Sequence, residues 1–137
     1  MHSATFAAPV STARIRTGWI ITAVPVLFLL FDAVIKLMRI EPVLQSFSEL
    51  GYPPGLAVGI GLLELVCLAL YVIPRTSVLG AILLTGYLGG AIATHVRIES
   101  PLLSHTLFPV YVALLLWAGL HLREARLRSL LPLRSEP

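Results

Sequence analysis

Four ionisable side chains stand inside otherwise apolar stretches of this chain: Asp32, Lys36, Glu64 and His95. A charged group at the centre of a membrane helix costs about 2.5–3.5 kcal/mol on insertion scales, so such residues are functional candidates by default. Asp32 and Lys36 are four apart, which sets a carboxylate and an ammonium on one helical face. Glu64 has no cation in its own apolar run and holds a charge there only if another segment supplies a partner. His95 is the side chain suited to proton exchange near neutral pH. Arg97 and His105 lie just beyond it, and Arg97 joins Asp32, Lys36, Glu64 and His95 as a candidate residue of a polar pocket. A carboxylate, a lysine and an imidazole on neighbouring helices make a polar pocket that can exchange protons with a small polar headgroup. A structural reading stands beside each. Asp32–Lys36 is then an interfacial ion pair with Lys36 reaching to the headgroups, Glu64 is hydrogen-bonded to a neighbouring helix, and His95 caps its own.

Other chemistry is excluded by what is missing from the sequence. The chain has one cysteine, Cys67, so it forms neither an internal disulfide nor a CxxC redox pair. His95 and His105 are ten apart with no third ligand at a defined spacing, so no metal site is expected. No nucleophile sits beside a base, and no glycine-rich loop follows a strand. The net charge of +3 is not a nucleic-acid footprint, because the basic residues sit at the ends of apolar runs, as in membrane proteins.

The elements that must position these residues follow from composition. Of 137 residues, 57% are hydrophobic and 12% charged, with a mean hydropathy of +0.89. A soluble domain carries about 25% charged residues, so a soluble enzyme, a disordered chain and a disulfide-stapled module are excluded. A span needs about 20 apolar residues. Four segments qualify: Gly18–Met38, Gly55–Ile73, Ser77–Val96, and roughly Pro101–Leu122, densest from Leu107. The expected fold is all-α, a four-transmembrane-helix bundle over 18–122. It is flanked by a tail over 1–17 and a basic tail over 123–137. The first run is too long for a signal peptide and no cleavage site follows it. Between spans one and two, Val43, Leu44, Phe47 and Leu50 share a face, with Pro42 opening and Gly51 closing the stretch. That pattern predicts a short amphipathic helix in the interface. Pro74-Arg75-Thr76 is a tight turn, and Ser100-Pro101 reads as a cap followed by a first-turn proline.

Arg14, Arg16, Arg75, Arg123, Arg126, Arg128 and Arg134 fall on one side; Lys36, Arg39 and Arg97 fall on the other, among Glu41, Glu49 and Glu99. The positive-inside rule then places both termini in the cytoplasm of a bacterial inner membrane, with the chain in contact with lipid. At ~1.5 Å per residue, Asp32 lies about 20 Å and His95 about 27 Å from that side, with Glu64 near the middle. In the third span Ala81, Thr85, Gly89 and Ala93 recur every four residues, as do Gly86, Gly90 and Thr94. The spacing predicts two flat faces packed against two neighbours. Gly61 is a further packing glycine of the second span. Pro25 and Pro109 are expected to kink their helices. Tyr52, Tyr71, Tyr87 and Tyr111 read as interfacial or packing residues, Trp19 and Trp117 as interfacial anchors.

The order of these features resembles the DoxX-like family of small four-helix bacterial membrane proteins. The pieces that carry it are DAVIKL (Asp32–Leu37), LGYPP (Leu50–Pro54), GLLELV with Gly61 and Glu64, IPRT around Pro74-Arg75, and GYLGGAIATHVR ending at His95 and Arg97. The resemblance covers about residues 17–125. It implies family-like positions at Lys36, Gly61, Glu64, Gly90, Ala91 and His95. It also implies a link to membrane redox chemistry, since the wider group includes subunits of a thiosulfate:quinone oxidoreductase. Without a haem pair, an iron–sulfur ligand set or a second cysteine, such a role requires a bound quinone or a partner subunit. Three functions are therefore expected to compete: a quinone- or lipid-linked redox accessory protein, a small proton-coupled transporter or exporter, and a membrane assembly factor without chemistry.

Overall fold

Lipid offers no partner for a free backbone N–H or C=O, so an apolar chain must close its hydrogen bonds within helices. The computed structural model describes residues 11–130, of which 83% are helical, with no strand among them. The helices are α1 (Thr12–Leu37), α2 (Glu41–Glu49), α3 (Leu56–Val72), α4 (Ser77–Arg97), α5 (Phe108–Arg123) and α6 (Ala125–Leu130), with a π-helical turn over Leu102–Thr106 before α5. α1, α4 and the segment Leu102–Arg123 are long and apolar enough to cross a membrane, and α3 is a shorter apolar helix. Arg134 and the outer parts of both expected tails lie outside the described residues.

Several boundaries differ from the sequence reading, each for a local reason. α1 begins at Thr12 rather than Gly18, because the Ser11 hydroxyl accepts from the Arg14 N–H and caps the first turn. Pro109 occupies the first turn of α5, where a proline starts a helix instead of kinking it. Ser100 makes no side-chain cap, since its hydroxyl is taken by His95. The amphipathic helix forms as expected: Pro42 sits in the first turn of α2, and Val43 and Phe47 are buried against Ala57 of α3 and Ile35 of α1.

α1 packs against α3 and α5, and α4 packs against the same two, so α1 and α4 face each other across the assembly. Leu29, Leu68, Tyr71, Leu84, Leu116 and Leu120 fill the space between them. Outward, Ile20, Leu27, Phe31, Leu62, Val66, Ile82 and Leu114 each leave more than half of their surface uncovered. A soluble monomer does not present an apolar surface of that extent.

The close approaches come from glycines other than most of those expected. A Cβ on Gly80 would lie 2.2 Å from the Tyr71 nitrogen, one on Gly119 would lie 2.3 Å from Thr22 Oγ1, and one on Gly18 would lie 3.0 Å from the Gly119 carbonyl. Gly61 also packs, against Lys36 and Ala33 of α1. Gly86, Gly89 and Gly90, by contrast, have nothing within 4 Å of a built Cβ, and Ala93 is exposed. α4 does have two neighbours, but it meets them through Gly80, Ala81, Leu84 and Leu88. Periodicity identifies residues that share a face; it does not say which face turns inward.

Candidate functional site

Lys36 is the penultimate residue of α1, and its side chain is only 11% exposed. It points into the assembly instead of out to a headgroup layer. An ammonium carries three protons, and three acceptors on three helices meet it. These are Asp32 on its own helix, Glu64 Oε2 on α3 at 2.8 Å, and the Tyr87 hydroxyl on α4 at 2.7 Å. The Tyr87 hydroxyl in turn donates to Glu64 Oε2 at 3.0 Å. Glu64 is fully buried, whereas the Asp32 side chain is 31% exposed. Desolvating charges is costly, and an arrangement like this holds only because every ammonium proton has an acceptor.

The backbone that allows it is local to α3. Gly61 lies three residues before Glu64, so the two share a helical face. A Cβ at Gly61 would stand 3.0 Å from Lys36 Cβ and 3.1 Å from the Ala33 carbonyl. The missing side chain lets α3 approach α1 closely enough for Glu64 to reach the lysine. GLLE is therefore one unit, a glycine for approach and a carboxylate for charge.

Beside this cluster lies a cavity of about 640 Å³, within the usual range for small-molecule sites. Phe28, Ile35, Phe47, Leu63, Phe108 and Val112 supply apolar wall, and Phe28 and Phe108 meet edge to face at 5.0 Å. Asp32 and Lys36 lie in its lining with Tyr87, Thr94, Tyr52 and His95. α2 contributes Val43, Ser46 and Phe47. On α4, Gly86 and Gly90 form wall without side chains, which leaves space where a larger residue would intrude.

The sequence-derived residues divide accordingly. Asp32, Lys36 and His95 line the cavity; Glu64 lies behind Lys36, outside the lining but bonded to it. Arg97 does not line it. Its guanidinium donates to the Leu50 carbonyl and lies 5.7 Å from the Tyr52 ring centre. It thereby braces the turn at Gly51, whose φ of +75° suits glycine. His95 Nδ1 bonds to the Ser100 hydroxyl at 3.0 Å, and its ring meets that of His105 at 5.8 Å.

Tyr87, Tyr52 and Thr94 were not singled out from the sequence as site residues. Tyr87 completes the lysine's coordination, and the Tyr52 hydroxyl bonds Thr94 Oγ1 at 2.9 Å. One signal for Tyr87 was present: a large polar ring between Gly86 and Gly89-Gly90 is out of place on a lipid-facing or close-packed stripe and fits a wall facing open space.

A family model described as the DoxX-like family matches residues 20–119. No curated protein and no solved structure matches the chain. The matched span contains every residue of the cluster and of the cavity.

Proposed function

The chain belongs to the DoxX-like family, and from that premise we propose that it is a four-span membrane protein whose cavity holds the headgroup of a quinone-class amphiphile. In this reading it serves as a quinone- or lipid-linked accessory subunit of a membrane redox system. The observation that carries the proposal is the pairing of Lys36, whose three protons are all accepted, with a largely apolar cavity of about 640 Å³ directly beside it. A polar patch among aromatic and aliphatic walls suits a ligand with a small polar head and an apolar body.

Four spans are supported by α3, whose 17 residues, uncharged except for Glu64, rise about 25 Å and fall within the range of short membrane helices. Orientation is supported by the grouping of Arg14, Arg16, Arg75, Arg123, Arg126 and Arg128 at the end of the assembly opposite α2. That grouping favours an inner-membrane protein with this end in the cytoplasm and the cavity toward the other face.

The residues have separable roles. Asp32 and Glu64 balance Lys36 and hold it in the cavity wall, Tyr87 fixes the lysine's third proton, and α2 forms a further wall. The quinone, when bound, supplies the redox chemistry. The test is to extract lipids from the detergent-purified protein and assay them for quinone, with Gly90→Leu as a cavity-filling control. Wild type retains quinone and the variant loses it. A preparation free of quinone, with no effect of the protein on quinol turnover in native membranes, overturns the proposal.

A further inference from the structure

The hydrogen-bonding capacity of the cavity can be counted proton by proton. Lys36 has three protons and donates to Asp32 Oδ2, Glu64 Oε2 and the Tyr87 hydroxyl. The single hydroxyl proton of Tyr87 goes to Glu64 Oε2. Thr94 donates to the Gly90 carbonyl at 2.9 Å, so in the Tyr52–Thr94 pair it is Tyr52 that donates. Ser46 donates to the Pro42 carbonyl at 2.8 Å. Every lysine and hydroxyl proton in the cavity wall is therefore committed within the protein. His95 alone can present either a donor or an acceptor, according to its tautomer.

The free capacity is of the opposite kind. Asp32 lines the cavity and is part-exposed, and among the described residues its Oδ1 has no hydrogen-bond partner. The Tyr52 hydroxyl keeps open lone pairs once its proton is given to Thr94. The charge balance points the same way: two carboxylates face one lysine. A ligand that only accepts hydrogen bonds finds no free donor around Lys36, His95 being the one group in the wall whose tautomer can supply one, and it faces a carboxylate oxygen. A ligand that donates finds a carboxylate acceptor in a largely apolar space, where such bonds are strongest.

We infer that the cavity selects a hydrogen-bond-donating headgroup, the hydroquinone form of the couple over the quinone form, through the free carboxylate oxygen of Asp32. This inference rests on the reading of the cavity as a quinone-class site and adds its preference for one redox form. The two forms share the same ring and tail and differ at the head. The quinone has two carbonyl acceptors; the hydroquinone has two hydroxyls, each able to donate. Binding the reduced form more tightly makes the bound couple easier to reduce than the free one. A tenfold preference corresponds to about 30 mV for a two-electron couple.

The test uses the full chain in detergent micelles and three probes with the same decyl tail: a benzoquinone, its hydroquinone under anaerobic reductant, and the hydroquinone dimethyl ether. Affinities are measured by equilibrium partition. The expected result is at least tenfold tighter binding of the hydroquinone than of either other probe. Asp32→Asn, which places an amide donor opposite the head, reduces that preference to threefold or less. Asp32→Asn keeps an oxygen for Lys36 but removes one of the two negative charges that balance it, so the comparison of probes on the wild-type chain stands on its own if the variant does not fold. Equal binding of quinone and hydroquinone, or tighter quinone, overturns the inference and leaves a quinone-class site in place. Binding of none of the three overturns the site reading as well.

Discussion

Around Tyr71 the helices meet backbone to backbone, and around Lys36 they stand apart. At the Tyr71 end, Gly80 lets α4 lie against the Tyr71 backbone, while Gly18 and Gly119 let α1 and α5 touch. The Tyr71 hydroxyl donates to the Leu116 carbonyl at 2.6 Å, and the Arg123 guanidinium lies 4.1 Å from the Trp19 ring centre and 5.0 Å from that of Tyr71. At the Lys36 end only Gly61 serves a close approach, Gly86 and Gly90 face open space, and the helices are joined by charge. The same residue type thus does opposite things at the two ends, closing one and hollowing the other. Rigidity at the Tyr71 end allows the helices to diverge at the other without coming apart.

The largest effect that tests this contrast is expected at the charged end. Lys36→Met leaves Glu64 buried without its cation and destabilises the protein by about 3–5 kcal/mol, and pairing it with Glu64→Leu recovers most of the loss. Thermal unfolding in micelles measures both; a single variant no worse than the double would mean that charge does not join the helices there. Next comes Gly80→Ala, which drives a Cβ to 2.2 Å from the Tyr71 nitrogen. Overpacking of that kind costs about 1–3 kcal/mol. Tyr87→Phe takes an acceptor from a charged donor and costs about 1.5–3 kcal/mol, whereas Tyr71→Phe removes a bond to a neutral carbonyl that already lies within the α5 ladder and costs about 0.5–1.5 kcal/mol. Equal losses for the two tyrosines would erase the distinction between a charged and a neutral anchor. The smallest effect on stability belongs to Gly90→Leu, within about 0.5 kcal/mol of wild type, although under the proposed function it is the variant that fills the ligand cavity.

Much of the fold was legible because its signals are local. The apolar runs, the turn at Pro74-Arg75-Thr76 and the amphipathic pattern of α2 all recur in the structure within a few residues of where they were read. The misplaced boundaries reflect capping and proline geometry, with Ser11 extending α1 backward and Pro109 opening α5. Of the site, the Asp32–Lys36 pair was legible from its spacing of four. Glu64 was legible as a carboxylate in need of a partner, and the lysine supplies that partner. Arg97 was grouped with the site on proximity in sequence to His95, but it extends over the Gly51 turn and braces the chain between α2 and α3.

The sequence by itself determined that this chain forms apolar helices, that α2 is amphipathic, and that a small set of polar residues interrupts the apolar runs. Each of those properties depends on neighbours within one or two turns. Only the tertiary structure decided that Lys36 points inward, that Tyr87 completes its coordination, and that Gly86 and Gly90 wall a cavity while Gly18, Gly80 and Gly119 close the opposite end. Those outcomes depend on how each helix is rotated about its axis against its neighbours. A rotation of half a turn exchanges the inward and outward faces while leaving the hydropathy of the run unchanged, so the run alone does not encode it. Contacts such as Gly61 against Lys36 and Gly80 against Tyr71 set that rotation, and with it which polar atoms meet.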